Sequence, residues 1–361
     1  MSVKLDNRFF NGIRLVCASL IFFYSLLTIV SCSSISMLWN LKATESGAYI
    51  FSIALLIVIL PGYSFKPVSL ITRLLALFAA ILLVSPAWQA KAFMKEESSF
   101  SWKMWMAGES FSCSMQDLIC TADDGSELNS IICIPDQPIN RSPCVLVLHG
   151  GGFTTGSAIH GLELAKSLAS KGYYSISVDY RLAPQTTFPG QINDIDKVWK
   201  AFKNSYFSTT VDTNAMFLIG ESAGASIVLN YSQFKENPAL KGLINLYGIT
   251  DFTFAGEFMS ENVSELSAMV NAYRGENTAA SISPLNPELI ASIPVLTIHG
   301  ARDVAVSDIQ AVKFHEFRLK NNFPSTLYIL PWSSHLFNHP SGGPSGQVST
   351  ELIINFIHSN H

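Results

Sequence analysis

The sequence predicts an α/β fold, a mostly parallel sheet held between helices, preceded by a helical region of membrane-like composition. Three observations predict it. From about residue 113 onward, short apolar runs of strand length alternate with helix-length stretches, the pattern that builds a parallel sheet covered on both faces. Two glycine-rich motifs, His149-Gly150-Gly151-Gly152 and Gly220-Glu221-Ser222-Ala223-Gly224, each follow directly on such a run. Before residue 91, three long stretches carry no charge at all. The 361 residues are 48% hydrophobic and only 14% charged, and the mean hydropathy of +0.30 is high for a soluble enzyme.

Leu15 to Leu41 is the first uncharged run, long enough for a spanning helix. Ser46 to Phe65, between Glu45 and Lys66, is the second. Pro61-Gly62 limits its core to Ala48 to Leu60, short for a crossing, so a buried core helix is the competing reading. Leu74 to Ala90 is the third, preceded by Arg73 and closed by Trp88 at an interfacial level. Lys4, Arg8 and Arg14 ahead of the first run argue for a cytoplasmic start. Three crossings then put everything downstream outside the cytoplasm, and two leave it inside. A cleaved export signal is a further alternative for the first run, and Ile29-Val30-Ser31-Cys32 fits a permissive lipidation box at Cys32. The expected division is a multi-pass membrane region over residues 1–90 with two or three transmembrane helices, a linker over 91–110 containing Trp102 and Trp105, and an extracytoplasmic α/β domain over 111–361.

That domain has ample length for one core. Cys113 to Thr121 and Glu127 to Ile134 flank Asp123-Asp124-Gly125, a hairpin signal for an antiparallel start. Pro143 to Leu148, Tyr174 to Val178, Ala215 to Ile219, Pro294 to Gly300 and Ser325 to Leu330 read as buried strands. Helices are expected over Ala158 to Lys171, Gln191 to Ser205, Ser222 to Lys235, Val306 to Asn321 and Gln347 to His358. Gly248 to Pro287 lacks a clean strand and reads as a small lid.

The motifs carry chemistry. Gly-x-Ser-x-Gly puts a serine on a strained strand-to-helix turn, where side chains two residues to either side would collide with backbone. Ser222 is therefore the candidate nucleophile. A glycine run has no side chains to block its amides, so the N–H groups of Gly151 and Gly152 can turn toward a negatively charged oxygen, joined by that of Ala223. A serine hydroxyl is inert at neutral pH without a base, which calls for a histidine and an acid downstream. Asp303 stands just past the strand ending at Gly300, and His335 lies in the loop after the last strand. Asp303 would hold the imidazole in one tautomer, and His335 would take the serine proton. Asp308 and His339 compete for these roles. Asp308 falls inside the helix expected from Val306, and His339 sits further into a Pro/Gly-rich tail. His149 and His299 read as structural.

On these residues the chain resembles the hormone-sensitive-lipase-like branch of the alpha/beta-hydrolase esterases. The resemblance covers about residues 111–361. It rests on the two glycine motifs, on Asp179-Tyr180-Arg181-Leu182-Ala183-Pro184, on Phe188-Pro189 followed by Asp194, and on Ser283-Pro284-Leu285, Asp303 and His335. It implies an alpha/beta-hydrolase fold and cleavage of carboxylic esters of short to medium acyl chains without a cofactor. The acid departs from the family pattern by sitting in His-Gly-Ala-Arg-Asp-Val. Family members build a cap from their N-terminal segment, which here is membrane-like.

Other classes are excluded or left open by composition. A net charge of −4 gives no basic surface for nucleic acid. The six cysteines show no Cys-x-x-Cys or Cys/His ligand spacing, so no metal site is expected, and their disulfide state stays open. The expected partner is a small-molecule or lipid ester substrate at a membrane, and the sequence is silent on oligomeric state. The same triad would serve an amidase or thioesterase, and a non-catalytic membrane receptor or scaffold on this fold is the reading from another class.

Overall fold

Eight strands form one sheet in the order β1-β2-β4-β3-β5-β6-β7-β8. In the computed structural model, which describes residues 7–26, 28, 41–59, 66–94, 100–205, 210–253, 263–286 and 292–361, the chain divides into two compact units. Met1–Glu109 and Trp332–Val348 make one, Ser110–Pro331 and Ser349–His361 the other.

The sheet belongs to the second unit. Its strands are β1 (Cys113–Thr121), β2 (Glu127–Pro135), β3 (Ser142–Leu148), β4 (Tyr174–Val178), β5 (Val211–Glu221), β6 (Leu240–Leu246), β7 (Val295–Gly300) and β8 (Ser325–Leu330). β1 pairs antiparallel with β2, and β2 with β4. Every later neighbour is parallel, with Leu146 opposite Ile176 on one side and Leu218 on the other. Every residue of β3, β4 and β7 is buried, as expected of strands covered on both faces. The strand β6 was not expected from the sequence, because Lys241, Gly242 and Asn245 break its apolar run. Gly242 is there because the ring of Phe356 lies against it, 2.7 Å from where a Cβ would stand.

The helices are α1 (Asn7–Leu26), α2 (Ala48–Ile59), α3 (Lys66–Phe93), α4 (Trp102–Ala107), α5 (Ala158–Ser170), α6 (Gly190–Ser205), α7 (Ala223–Phe234), α8 (Val263–Arg274), α9 (Ile309–Lys320) and α10 (Pro344–Asn360). In the sheet unit α6 buries Ile192, Ile195, Val198, Trp199 and Phe202, spacings that lay one helical face on the core. The segment read as a lid contains α8 and a short 3₁₀ turn, Ala280–Ile282.

In the first unit the small residues Ala18, Ala54, Ala76, Ala79 and Ala87 are buried, while Ile13, Val16, Leu20, Phe23, Ile53, Leu74, Phe78 and Ile81 face outward. Close approach of backbones at small residues with large apolar side chains outside suits helices packed in lipid. Leu70–Phe93 is, among the described residues, the one helix long and apolar enough to cross a membrane. At 1.5 Å per residue its 24 residues span about 36 Å, against about 30 Å of hydrocarbon. Gly12–Leu26 and Ala48–Val58 are shorter apolar helices. Lys4, Pro61-Gly62, Cys32 with its lipidation box, and most of the first run's second half lie outside the described residues.

α3 continues through Pro86. Proline lacks the N–H that would reach the carbonyl four residues back. The freed carbonyl of Leu82 instead accepts the hydroxyls of Ser85 at 2.8 Å and Thr28 at 3.2 Å. Within the 91–110 linker the described residues include two helical pieces. α3 runs on to Phe93 and α4 fills 102–107, capped by the Ser101 Oγ that accepts from the Met104 amide.

Candidate active site

β5 delivers Ser222 at its carboxyl end, and α7 begins at the next residue. Ser222 has φ +52° and ψ −116°, left-handed backbone that an L-residue adopts only when its surroundings hold it there. Its amide donates to the Leu246 carbonyl at 2.9 Å. The flanking glycines are enforced by contact. A Cβ on Gly220 would stand 2.3 Å from the Ala225 backbone, and one on Gly224 would stand 2.5 Å from the carbonyl oxygens of Leu148 and His149. Ala223 opens α7, where the first amides of a helix have no intrahelical acceptor.

The glycine loop follows β3 and passes directly over this turn. A Cβ on Gly150 would be 3.2 Å from that of Ser222. Gly151 has φ +118° and Gly152 φ +60°, conformations open chiefly to glycine. The Gly151 carbonyl points away from the turn's interior, accepting from the amides of Thr154 and Thr155 and from the Thr155 hydroxyl. Among the described residues, neither the Gly151 nor the Gly152 amide donates to a protein acceptor. His149 shapes the loop. Its Nδ1 donates to the Gly150 carbonyl at 2.7 Å, and its ring stacks on Tyr180 at 4.3 Å, whose hydroxyl donates to the His149 carbonyl. Burial holds this imidazole below its ordinary pKa, so it is a neutral framing group.

Asp303 follows β7. Its Oδ1 accepts from the amides of Ala305 and Val306 at 2.9 and 2.8 Å, and its Oδ2 lies 3.2 Å from Nε2 of His299. Two backbone amides thus hold the carboxylate, with the His299 ring beside it. The competing acid, Asp308, is not inside a helix as the sequence reading had it, but one residue before α9, at its N-cap.

His335 lies in the other compact unit, on the loop that follows β8. It is 6% exposed, between buried Ser333, Ser334 and Phe337. Serine, acid and glycine loop therefore share the sheet unit, and the histidine is carried with the N-terminal helices.

The Asp-Tyr-Arg-Leu-Ala-Pro run is held by an ion-pair network. Arg181 grips Asp194 through Nε and Nη2 at 2.7 to 3.1 Å, and its own amide donates to the same carboxylate. A second ion pair ties Arg181 to Asp124 in the β1–β2 turn. Residues that sequence reasoning missed cluster around the glycine loop. On α8, Met269 puts its sulfur 2.2 Å from where a Gly152 Cβ would be, and Tyr273 stacks on Phe153 at 4.1 Å. Spacing on one helix face was a signal for them, but their target lies more than a hundred residues away.

A family model described as BD-FAE matches residues 131–317, more than half of the chain. The chain belongs to the BD-FAE family. The matched span of this BD-FAE member takes in the glycine loop, Ser222 and Asp303 and stops short of His335. It is similar to Esterase LipC of Mycobacterium tuberculosis, 25% identical over 257 residues, 65% of this chain and 64% of that one. It is also similar to an ethyl acetate hydrolase of Pseudomonas putida, 30% identical over 144 residues, 38% and 45% of the two chains. A third relative is neutral cholesterol ester hydrolase 1 of Pongo abelii, 31% identical over 121 residues, 32% and 29% of the two chains. The chain spans less than two thirds of the length of these curated relatives. Among solved structures, an esterase of Pyrobaculum calidifontis matches at TM-score 0.58 and 21% identity over 68% of this chain and 85% of that one. A bacterial heroin esterase matches at TM-score 0.59 and 19% identity over 70% and 86%. The fold is that of an alpha/beta-hydrolase, and the likeness to hormone-sensitive-lipase-like esterases read from the motifs holds for this BD-FAE chain.

Proposed function

We propose that the chain is a membrane-anchored serine hydrolase of carboxylic esters, short to medium in acyl chain, working through an acyl-enzyme. One observation carries the reading: the strained Ser222 turn faces a glycine loop whose Gly151 and Gly152 amides, among the described residues, meet no protein acceptor. Ser222 Oγ attacks the ester carbonyl carbon while His335 accepts its proton. The amides of Gly151, Gly152 and Ala223 receive the oxyanion. Collapse expels the alcohol, which takes the proton from His335, and water then cleaves the acyl-enzyme by the same two steps. Asp303, held by two backbone amides, holds the imidazole and stabilises its charged form.

The tether of His335 permits this role. β5 and β8 are three strand spacings apart, about 14 Å. Leu330 closes β8, and five residues of extended chain reach about 17 Å. Anchoring is supported by the spanning-length helix Leu70–Phe93 and by the outward apolar side chains of the helices around it. A lipid ester or a small ester partitioned into the bilayer is the substrate class that fits.

The test is hydrolysis of chromogenic esters of graded acyl length by the full chain, with fluorophosphonate labelling. Ser222→Ala should abolish labelling and cost on the order of 10⁴ in turnover. Labelling that persists in folded Ser222→Ala would sink the assignment.

A further inference from the structure

Glu45 sits at the end of a short helical segment, residues 41–45, between two uncharged runs. It is 1% exposed, and burial pushes its carboxyl up to about 8. Among the described residues, both of its hydrogen bonds go to Ser345, in the first turn of α10, the helix that follows the loop carrying His335. Its Oε2 accepts the Ser345 amide at 2.8 Å, and its Oε1 meets the Ser345 hydroxyl at 2.5 Å. The same hydroxyl accepts from Trp332 Nε1 at 2.9 Å and contacts the Ser333 hydroxyl at 2.5 Å. Trp332 and Ser333 lie three and two residues before His335, so a single hydroxyl ties the start of the loop to its end. The fit around the carboxyl is close, since a Cβ on Gly343 would stand 2.6 Å from Glu45 Oε2.

Two further contacts reach this loop and α10 from the same N-terminal region. Gln347 exchanges hydrogen bonds with the backbone of Ser101 at 2.7 and 3.1 Å, and Phe93 meets the Trp332 ring edge-on at 5.8 Å. A carboxyl taken out of water is expensive unless its hydrogen bonds are met. An apolar side chain would fill the same space at lower cost. What the carboxyl provides is a pair of directed bonds that fix where Ser345 stands, and through Trp332 and Ser333 where the loop stands.

We propose that Glu45 is a positioning residue for the hydrolytic reaction, a carboxyl from the N-terminal apolar region that sets the loop bearing His335. The proposal rests on the reading of His335 as the general base. It gives the membrane-like segment a second task, because the residue that orders the base's loop comes from between its helices.

The experiment uses the full chain in detergent or vesicles, with kcat and KM for a short chromogenic ester and the rate of fluorophosphonate labelling. Glu45→Ala should lower kcat and the labelling rate between about 10- and 100-fold, the cost of slight misplacement of a reacting group, with KM unchanged. Glu45→Gln, which still offers an oxygen to the Ser345 amide and an amide to its hydroxyl, should restore kcat to near wild type. Ser345→Ala removes one hydroxyl without opening a large hole, and it should lower kcat in the same sense even if Glu45→Ala fails to fold. The double variant should lose less than the product of the two single losses, because both remove one contact. His335→Ala separates the two ideas. If it is inactive while Ser345→Ala turns over like wild type, Glu45 has no positioning role. A Glu45→Gln variant as slow as Glu45→Ala would also overturn the proposal. If His335→Ala keeps full turnover, the reading of the base itself falls.

Discussion

His299 Nε2 lies 3.2 Å from Oδ2 of Asp303, with both side chains wholly enclosed. The same Nε2 lies 2.9 Å from the Val306 carbonyl, while Nδ1 has no partner, so the proton is assigned to Nε2. The histidine donates to the Val306 carbonyl, and the Val306 amide in turn donates to the Asp303 carboxylate.

Replacing His299 by Phe should therefore act on Asp303. The Val306 carbonyl, whose own residue's amide holds Asp303, would lose its donor, and an unmet buried acceptor costs on the order of 1–3 kcal/mol. Turnover should fall about tenfold for each 1.36 kcal/mol that reaches the transition state. Kinetics and thermal unfolding of His299→Phe and His299→Gln check it. Equal turnover in wild type and the Phe variant would leave His299 a packing residue only.

The glycine loop gives a second expectation. Gly151→Ala places a Cβ 2.0 Å from the Thr155 carbonyl oxygen at φ +118°, so the backbone must shift, and even one added carbon is strained there. Losing one oxyanion donor costs about 10²–10³ in turnover. Single-turnover acylation should drop by that amount, with thermal stability lowered as well. Wild-type acylation would take Gly151 out of the site.

These residues show why part of the molecule was legible in the sequence. Gly151 and Gly220 are required by local backbone contacts, so their chemistry is written in short motifs, while Gly224 answers to the carbonyls of Leu148 and His149 at the end of β3. β3 was legible because a continuous apolar run of strand length has few other uses. β6 was not, because Gly242 answers to Phe356 and Asn245 turns its side chain to the Gly248 amide. Glu45 was read only as a boundary between two runs. Its partner is 300 residues away, and nothing local marks a carboxylate that will be buried. His299 read as the end of a strand because its contact with Asp303 depends on how the following turn closes.

The raised carboxyl of Glu45 makes a pH-dependent stability difference. Its folded value is about 8 against an ordinary 4.5. Between those values the folded chain holds a proton that the unfolded chain has released, so this group's contribution to stability falls as pH rises through that window and levels off above it. Glu45→Gln has nothing to titrate there. Its melting temperature relative to wild type should rise from about pH 5 to about pH 8. A difference that stays flat across that range would mean that the carboxyl titrates near its ordinary value.

The N-terminal helices carry the last expectation, the location of the enzyme. Leu70–Phe93 is long and apolar enough to cross a membrane by length and composition, and Leu74, Phe78 and Ile81 are exposed on its flank. The full chain should pellet with membranes and resist alkaline carbonate extraction. Replacing Leu77 and Phe78 by Lys should weaken this, since a charge near the centre of a span costs about 2.5–3.5 kcal/mol on insertion scales. Sidedness is a separate measurement. With basic residues ahead of the first run and three crossings, protease added outside sealed spheroplasts should digest the C-terminal domain, placing the enzyme outside the cytoplasm. Digestion only after permeabilisation would place it inside, with Ala48–Val58 not crossing. At about 16 Å for its 11 residues, that helix is short for the hydrocarbon thickness. A chain recovered whole in the soluble fraction would make the apolar helices a cap on the enzyme, and the anchoring would be refuted.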